Sequence, residues 1–153
     1  MKHANSFTLK NHEGTLISLE SFQGKWVILY FYPKDNTPGC TTEAVDFTKL
    51  KKEHPEIVIL GVSPDTPECH KNFIEKQNLS IILLSDPDKE VLNKYGAWGL
   101  KKNYGKEYKG VIRSTFLINP NGEIILSWKN VKAKGHAAKV FEALTKLLES
   151  PKA

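Results

Sequence analysis

The strongest pattern along the chain is a set of short apolar runs, rich in β-branched and aromatic residues, that predict strands. Two of them, Lys25–Tyr32 and Ile57–Val62, are almost wholly apolar, which is typical of central strands buried on both faces. Asn119–Gly122 is a strong turn signal between two further strands. The other predicted strands are Phe7–Lys10 and Thr15–Leu19, which form a hairpin, and Ile81–Leu84, Val111–Ile118 and Glu123–Trp128.

Segments with helical periodicity lie between and after these strands. In Thr41–His54 the apolar residues recur at every third position while the lysines point outward, which predicts an amphipathic helix. Thr66 followed by Pro67 is a typical helix start, an N-cap before a proline at the first helical position. The predicted helices are Thr41–His54, Thr66–Gln77, Lys89–Tyr95 and His136–Leu148.

The order of these elements predicts the fold class. Parallel βαβ units followed by an antiparallel hairpin and a last helix make an α/β protein with a mixed central sheet and helices on both faces. This resembles the thioredoxin-like fold with extra elements, here including an N-terminal β-hairpin. The 153 residues are enough for one domain with its own core, so we interpret 1–153 as a single domain. In such sheets, functional sites tend to lie at the carboxyl ends of the strands.

Composition and charge exclude several classes of protein. The longest apolar run, Trp26–Tyr32, is far shorter than the roughly 20 residues that span a bilayer, and Met1–Gly14 does not resemble a secretory signal. We therefore expect a cytoplasmic protein without a membrane partner. The net charge of +5 comes from basic residues spread along the chain. Their densest stretch, Lys101–Lys109, is interpreted as a solvated loop, so no nucleic-acid partner is expected.

Cysteine and histidine usage bears on the chemistry. The chain has two cysteines, Cys40 and Cys69, which are too few for a disulfide framework and are not spaced as Cys-x-x-Cys. The five histidines are scattered on polar segments without the spacing of a ligand set. We therefore expect neither a metal nor a cofactor. Each cysteine is then kept either for its packing or for its reactivity.

Cys40 occupies a position that favours reactivity. It lies between the most apolar strand and the first turn of a helix, where unpaired N–H groups and the helix dipole stabilise a thiolate. Gly39 lets the backbone approach whatever binds the sulfur, and Thr37 supplies a hydroxyl that can donate to or accept from a bound oxygen. Pro33 adds a rigid wall without a donor. The segment as a whole predicts a nucleophilic cysteine.

These residues carry a resemblance to a known family. Pro33-x-x-x-Thr37-x-x-Cys40 resembles the active-site signature of the peroxiredoxins. With Phe31 to Lys34 and Pro38 to Glu43 included, the segment is similar to the bacterioferritin-comigratory-protein, or peroxiredoxin Q, branch. The resemblance covers nearly the whole chain, and its further blocks are Leu60–Asp65, Leu83–Asp86 and Gly110–Ile118.

The resemblance implies a thiol-dependent peroxidase in which Cys40 attacks hydrogen peroxide or an organic hydroperoxide and becomes a sulfenic acid. It implies that Thr37 hydrogen-bonds the peroxide, that Pro33 shields the thiolate and that Arg113 is the active-site arginine. Arg113 is the only arginine beside 21 lysines, and its planar fork can hold a thiolate and a peroxide oxygen together. Glu43 is either a partner that orients Arg113 or a simple first-turn acid. Thioredoxin or a similar thiol protein is implied as the reductant, and a monomer as the oligomeric state.

The second half of the cycle is less defined by the sequence. Two positions at which relatives carry a resolving cysteine are occupied here by Val45 and Ile74. Cys69 is the remaining candidate, and it is either an inert residue that packs beside Phe73, or a minor thiol, or the thiol that attacks the sulfenic acid. The sequence therefore predicts either a cycle with one cysteine or an unconventional Cys40–Cys69 bridge that needs local unwinding.

Other functions fit less well. A thioredoxin-type dithiol oxidoreductase needs a cysteine where Glu43 stands, and a cysteine phosphatase needs an arginine within Thr41–Leu50. A non-catalytic partner-binding or chaperone-like domain stays as the alternative. The preferred peroxide and the physiological reductant are left open by the sequence.

Overall fold

An eight-stranded sheet forms the centre of the computed structural model, which describes residues 2–103 and 105–149. Its strands run in the order β1-β10-β9-β4-β5-β6-β2-β3, and β7 and β8 form a separate two-stranded ribbon. The strands are β1 Lys2–His3, β2 Thr8–Asn11, β3 Leu16–Ser18, β4 Val27–Phe31, β5 Val58–Ser63, β6 Ile82–Ser85, β7 Trp98–Asn103, β8 Lys106–Val111, β9 Ser114–Ile118 and β10 Glu123–Lys129. The helices are α1 Pro38–Glu53, α2 Pro67–Gln77, α3 Glu90–Lys94 and α4 His136–Glu149.

Strand β4 lies at the middle of the sheet because its side chains are apolar on both faces. It pairs in parallel with β5 and antiparallel with β9, so every backbone group of the strand has a neighbour. Alternate side chains enter two separate cores, as the period of two in a strand requires. Ile28, Tyr30 and Tyr32 belong to one core, and Val27, Leu29 and Phe31 belong to the other.

Helices cover both faces of the sheet. Apolar residues of α1, α2 and α4 fill the first core, and those of α3 fill the second. The predicted mixed sheet with helices on both faces is therefore confirmed. The predicted N-terminal hairpin is confirmed too, since β2 pairs with β3 and also with β6 at the edge of the sheet. Within the described residues, no helix is long and apolar enough to cross a membrane.

Two predictions around the lysine-rich segment were wrong. Lys101–Lys109 is not a loop: it belongs to the antiparallel ribbon of β7 and β8, although Tyr104 lies outside the described residues. Most of this ribbon is solvated, so the alternation of apolar and polar residues that marks a half-buried strand is missing. The strand predicted over Val111–Ile118 is interrupted at Ile112 and Arg113, where the chain leaves the ribbon and enters the central sheet as β9.

Two helices begin at the same edge of the sheet. Strands β4 and β5 are parallel neighbours, α1 follows β4 and α2 follows β5. Because the carboxyl ends of parallel strands lie together, the loop before α1 lies beside the end of β5 and the loop before α2, as two hydrogen bonds show. The backbone N–H of Tyr32 donates to the carbonyl of Val62, and that of Asp35 donates to the carboxylate of Asp65. This edge carries the residues that the sequence singled out.

Candidate active site

The first turn of α1 carries Cys40 as its third residue. Thr37 is the N-cap, and Pro38 starts the helix three residues before the predicted Thr41, since a proline is well accommodated in a first turn. The Thr37 hydroxyl does not cap the helix; it donates to the carbonyl of Lys34 at 2.8 Å. The thiol of Cys40 is free and only 1% exposed. The sulfur is therefore buried at a helix start whose N-cap side chain leaves the first-turn N–H groups alone.

Arg113 reaches this thiol from the segment between β8 and β9. Its Nη2 donates to Sγ of Cys40 at 3.4 Å, and its Nη1 donates to Oε1 of Glu43 at 2.6 Å. The side chain of Arg113 is 15% exposed. Gly39 makes room for this approach, because a Cβ atom there would lie 3.3 Å from Nη2. One guanidinium thus holds the sulfur and the carboxylate together, which a lysine point charge cannot do in the same way.

Electrostatics bind the three groups into one unit. Burial works against the charge of Arg113, but the attraction of Glu43 and Cys40 outweighs it and raises the pKa of the guanidinium. Burial raises the pKa of Glu43 from 4.5 to about 7, although Arg113 pulls in the opposite direction. Glu43 lies one helical turn after Cys40 and is completely buried. The contact to Arg113 favours the orienting interpretation of Glu43; its role in the reaction stays a prediction.

An aromatic layer lies beneath the thiol. Burial raises the pKa of Tyr30 well above its usual value, and the charges of Glu43 and Cys40 raise it further. Its hydroxyl and Oε2 of Glu43 are buried without a hydrogen-bond partner among the described residues. Gly61 on β5 faces this ring, since a Cβ there would lie 2.8 Å from Cζ of Tyr30. The sulfur therefore lies among buried groups, where the guanidinium charge acts more strongly than it would in water.

Pro33 lies in the same loop, directly after the last core residue that follows β4, and is partly buried. Pro33, Thr37 and Cys40 are thus in one segment, and Arg113 and Glu43 join them in space. The shielding role of Pro33 stays a prediction.

The structure places Cys69 differently from the expectation of packing. Thr66 caps α2, and its hydroxyl accepts from the backbone N–H of Cys69 at 3.2 Å. Cys69 itself is a free and exposed thiol, whereas Phe73 is fully buried. The buried face of α2 runs through His70 and Phe73, so Cys69 falls on the solvent side and the packing interpretation was wrong. Its role as the resolving thiol stays a prediction.

Sequence reasoning missed two buried histidines by treating all five as scattered on polar segments. His136 contacts the hydroxyl of Thr115 at 2.7 Å, and burial, with Arg113 and Lys139 next, lowers its pKa to about 4. His70 lies 2.6 Å from Oδ2 of Asp35. The available signal was helical spacing, because His70 is three residues before the apolar Phe73 and so shares its face.

Ligand-type atoms of Asp35, Asp65 and His70 lie within 4.8 Å of one another. They are engaged with protein groups: Oδ2 of Asp65 accepts from Ser63 and from the Asp35 backbone, and His70 binds Asp35 and the Leu84 carbonyl. Hydrogen bonding within the protein accounts for this cluster.

Comparison with known proteins gives consistent relatives. The model of the AhpC/TSA family matches residues 1–127. A protein of Helicobacter pylori strain J99 named putative peroxiredoxin bcp is 53% identical over 143 residues, which are 92% of this chain and 94% of the relative. Peroxiredoxin Bcp of Bacillus subtilis strain 168 is 46% identical over 148 residues, covering 95% of this chain and 94% of the relative.

Solved structures agree with these relatives. The bacterioferritin comigratory protein of Xanthomonas campestris, solved to study its alkyl peroxide reduction, superimposes with a TM-score of 0.86 at 41% identity, covering 92% of this chain and 90% of the other. A cysteine mutant of PrxQ from Xylella fastidiosa gives a TM-score of 0.89 at 34% identity, covering 97% and 98%. These similarities confirm the thioredoxin-like fold.

Proposed function

Because the chain belongs to the AhpC/TSA family of peroxiredoxins and is a thiol-dependent peroxidase, we propose that Cys40 is the cysteine that attacks the peroxide. The observation that carries this proposal is the guanidinium of Arg113, which donates to Sγ of Cys40 and to the buried Glu43 at once. A cationic donor at the sulfur favours the thiolate, which is the nucleophilic form. The alternative of a non-catalytic binding domain is set aside.

In the first step the Cys40 thiolate attacks the distal oxygen of the peroxide in an SN2 displacement. The S–O bond forms as the O–O bond breaks, and Cys40 becomes a sulfenic acid. The leaving oxygen takes a proton from solvent to give water or an alcohol, which balances the proton that the thiol released when it ionised. Arg113 and the Cys40 backbone N–H stabilise the charge that develops. Thr37 already gives its hydrogen to Lys34, so its oxygen is free to accept the hydrogen of the peroxide. Pro33 keeps water from the sulfur.

The substrates we propose are hydrogen peroxide and organic hydroperoxides. Support comes from the Xanthomonas campestris protein, which was solved in connection with alkyl peroxide reduction.

For the second half of the cycle we propose thioredoxin or a similar small thiol protein as the reductant. A thiol of this partner attacks the sulfenic sulfur, so that the S–S bond of a mixed disulfide forms as the S–O bond breaks and water leaves. The second thiol of the partner then attacks the mixed disulfide and frees the Cys40 thiol. Cys69 is the competing nucleophile within the chain, but it is exposed to solvent whereas Cys40 is buried, so a bond between them would need a local rearrangement. We therefore favour the cycle with one cysteine, in a monomer.

One assay tests the proposal. Hydrogen peroxide consumption is measured with thioredoxin, thioredoxin reductase and NADPH for the wild type, Cys40→Ser and Cys69→Ser. We expect Cys40→Ser to lose the activity and Cys69→Ser to keep it. Activity that survives in Cys40→Ser would contradict the assignment of Cys40. Mass spectrometry after one equivalent of peroxide separates the two cycles, since an internal disulfide lowers the mass by two hydrogens and a sulfenic acid adds one oxygen.

A further inference from the structure

A buried group of polar residues lies beside the active site and takes no part in the mechanism above. Asp35 and His70 have side chains that are 3% and 0% exposed, and they meet at 2.6 Å through Oδ2 and Nδ1. The hydroxyl of Tyr32 donates to the other oxygen of Asp35 at 2.5 Å. Nε2 of His70 lies 2.9 Å from the carbonyl of Leu84. Two polar side chains that are this deeply buried call for a structural or functional reason.

The hydrogen-bond partners define where the protons are. A backbone carbonyl only accepts, so Nε2 of His70 carries a hydrogen and donates it to Leu84. The contact between Nδ1 and Oδ2 therefore holds a second proton, shared between the imidazole and the carboxyl group of Asp35. The pair is neutral as a whole, and each of its polar atoms has a partner.

The pair ties the peroxide-binding loop to its surroundings. Asp35 lies two residues from Pro33 and two from Thr37, in the middle of the loop that joins β4 to α1. Its backbone N–H donates to Asp65, and its side chain binds Tyr32 and His70. Since His70 belongs to α2, the side chain of Asp35 anchors the loop to that helix.

Building on the proposed function, we propose that Asp35 and His70 are positioning residues of the peroxidase. Their hydrogen bond holds the loop so that the Thr37 oxygen, and Pro33 with it, stand where the peroxide meets the Cys40 sulfur. The residue that acts on the loop is Asp35, and His70 acts through it. What matters is then the geometry of the bond between them and not the charge of the pair.

The first test compares Asp35→Asn with Asp35→Ala. An asparagine oxygen can accept from Tyr32, and its amide can donate to a neutral Nδ1 of His70, so the bonds persist without the carboxylate; alanine removes them. Two rate constants are measured in single turnovers: oxidation of Cys40 by hydrogen peroxide, and reduction of the sulfenic acid by dithiothreitol. We expect oxidation to stay within about threefold of the wild type in Asp35→Asn and to fall at least about tenfold in Asp35→Ala, with reduction unchanged in both.

The second test uses two replacements of His70 and does not depend on Asp35→Ala being folded. His70→Asn places an amide where Nδ1 was and keeps the bond to Asp35, whereas His70→Gln places one where Nε2 was and keeps only the bond to Leu84. Both variants lose the imidazole, so a merely structural role predicts similar oxidation rates. We expect His70→Asn to oxidise Cys40 about tenfold faster than His70→Gln.

Equal oxidation rates in His70→Asn and His70→Gln would overturn the proposal, as would a parallel fall in the oxidation and reduction rates of Asp35→Asn. Failure of the proposed function appears elsewhere, because there the wild-type Cys40 itself would not form a sulfenic acid. If the wild-type Cys40 is oxidised by peroxide and all four variants are oxidised at the same rate, the positioning role alone is rejected.

Discussion

The first turns of α1 and α2 are written with the same pattern, Thr-Pro-x-Cys, and differ in almost everything else. Both have threonine as the N-cap, proline at the first helical position and cysteine at the third. In α1 the threonine leaves the helix uncapped, Cys40 is buried and Arg113 reaches its sulfur. In α2 the hydroxyl of Thr66 caps the backbone N–H of Cys69, and the thiol is exposed.

The difference teaches that a helix start does not by itself make a peroxidase site. Both cysteines lie at the same position of a helix start, so the differences between them are tertiary: Cys40 is buried, its N-cap hydroxyl donates to Lys34 and does not cap the helix, and Arg113 reaches its sulfur together with a buried acid. Four predictions test which of these matters.

Removing the arginine has the largest expected effect, because it leaves Cys40 with little more than Cys69 has. In Arg113→Met the second-order rate of Cys40 oxidation by hydrogen peroxide falls about 10²–10³-fold, the usual loss when a donor to the transition state is removed. Stopped-flow tryptophan fluorescence at several peroxide concentrations measures it. Arg113→Lys is the control and recovers only part of the rate, because one ammonium cannot bind Cys40 and Glu43 in two places. A rate for Arg113→Met within tenfold of the wild type would contradict this view.

Glu43 has the next effect, and it is seen in stability. Burial raises its pKa from 4.5 to about 7, so between these values the folded protein holds a proton that the unfolded chain releases. The stabilisation of the folded state by protonated Glu43 is complete below about pH 4.5 and is lost as the pH rises through 7. Glu43→Gln cannot titrate, so the wild type loses at most about 3 kcal/mol relative to it across this range.

Urea denaturation of both proteins at several pH values measures this difference. Helix α2 has no equivalent of Glu43: the residue three after Cys69 is Asn72, which is exposed and uncharged. The pH effect is therefore particular to α1. A gap between wild type and Glu43→Gln that does not change with pH would show that folding leaves the pKa of Glu43 unchanged, and would contradict the effect of burial.

The two N-cap threonines should respond oppositely to valine. Thr66→Val removes a cap and costs about 1 kcal/mol of unfolding free energy, with no effect on peroxide oxidation. Thr37→Val breaks the bond to Lys34 and removes an acceptor for the peroxide, so oxidation slows about tenfold with a smaller loss of stability. Thermal denaturation and single-turnover oxidation of each variant provide the comparison. If both variants changed stability and oxidation rate by the same amounts, the two threonines would have the same role, contrary to this prediction.

The smallest effect is expected from completing the sequence motif at α2. Glu68→Gly, made in a Cys40→Ser background, gives α2 the four residues that precede and include Cys40 in α1. The glycine lowers the stability of α2 by up to about 1 kcal/mol, and we expect no peroxidase activity to return. The coupled thioredoxin assay checks this against Cys40→Ser alone. Activity above that control would mean that the four residues suffice without Arg113 or burial.

The contrast between local pattern and tertiary contact also explains which parts of the structure could be predicted from the sequence. The central strands β4 and β5 were predictable because long apolar runs have one stable place, between two cores. The strand, loop and helix start that carry the candidate residues Pro33 to Cys40 were predictable for a similar reason, since they follow one another in the sequence. The ribbon of β7 and β8 was not, because its solvated strands lack an apolar pattern.

Contacts made by tertiary packing were harder to foresee. Spacing puts Glu43 on the face of Cys40, but it did not decide between a contact to Arg113, 70 residues away, and a simple first-turn acid. Cys69 and His70 are adjacent, and a rotation of about 100° decides which of them faces the core. Phe73 is close to both Cys69 and His70 in helical spacing, so spacing alone does not decide which of them is buried with it. In the structure His70 is the buried one, and its Nε2 bonds the carbonyl of Leu84.

The pairing of β4 with β9 has a consequence for the protein during its synthesis. Cys40 and Arg113 are 73 residues apart, which at ordinary ribosomal speeds is roughly 4–15 s of translation. For that interval the nascent chain carries the thiol without its guanidinium, and β4 waits for an antiparallel neighbour that has not been made. In the proposed mechanism, Cys40 therefore leaves the ribosome before Arg113 can reach its sulfur, and its reactivity with peroxide would begin only after β9 has paired with β4.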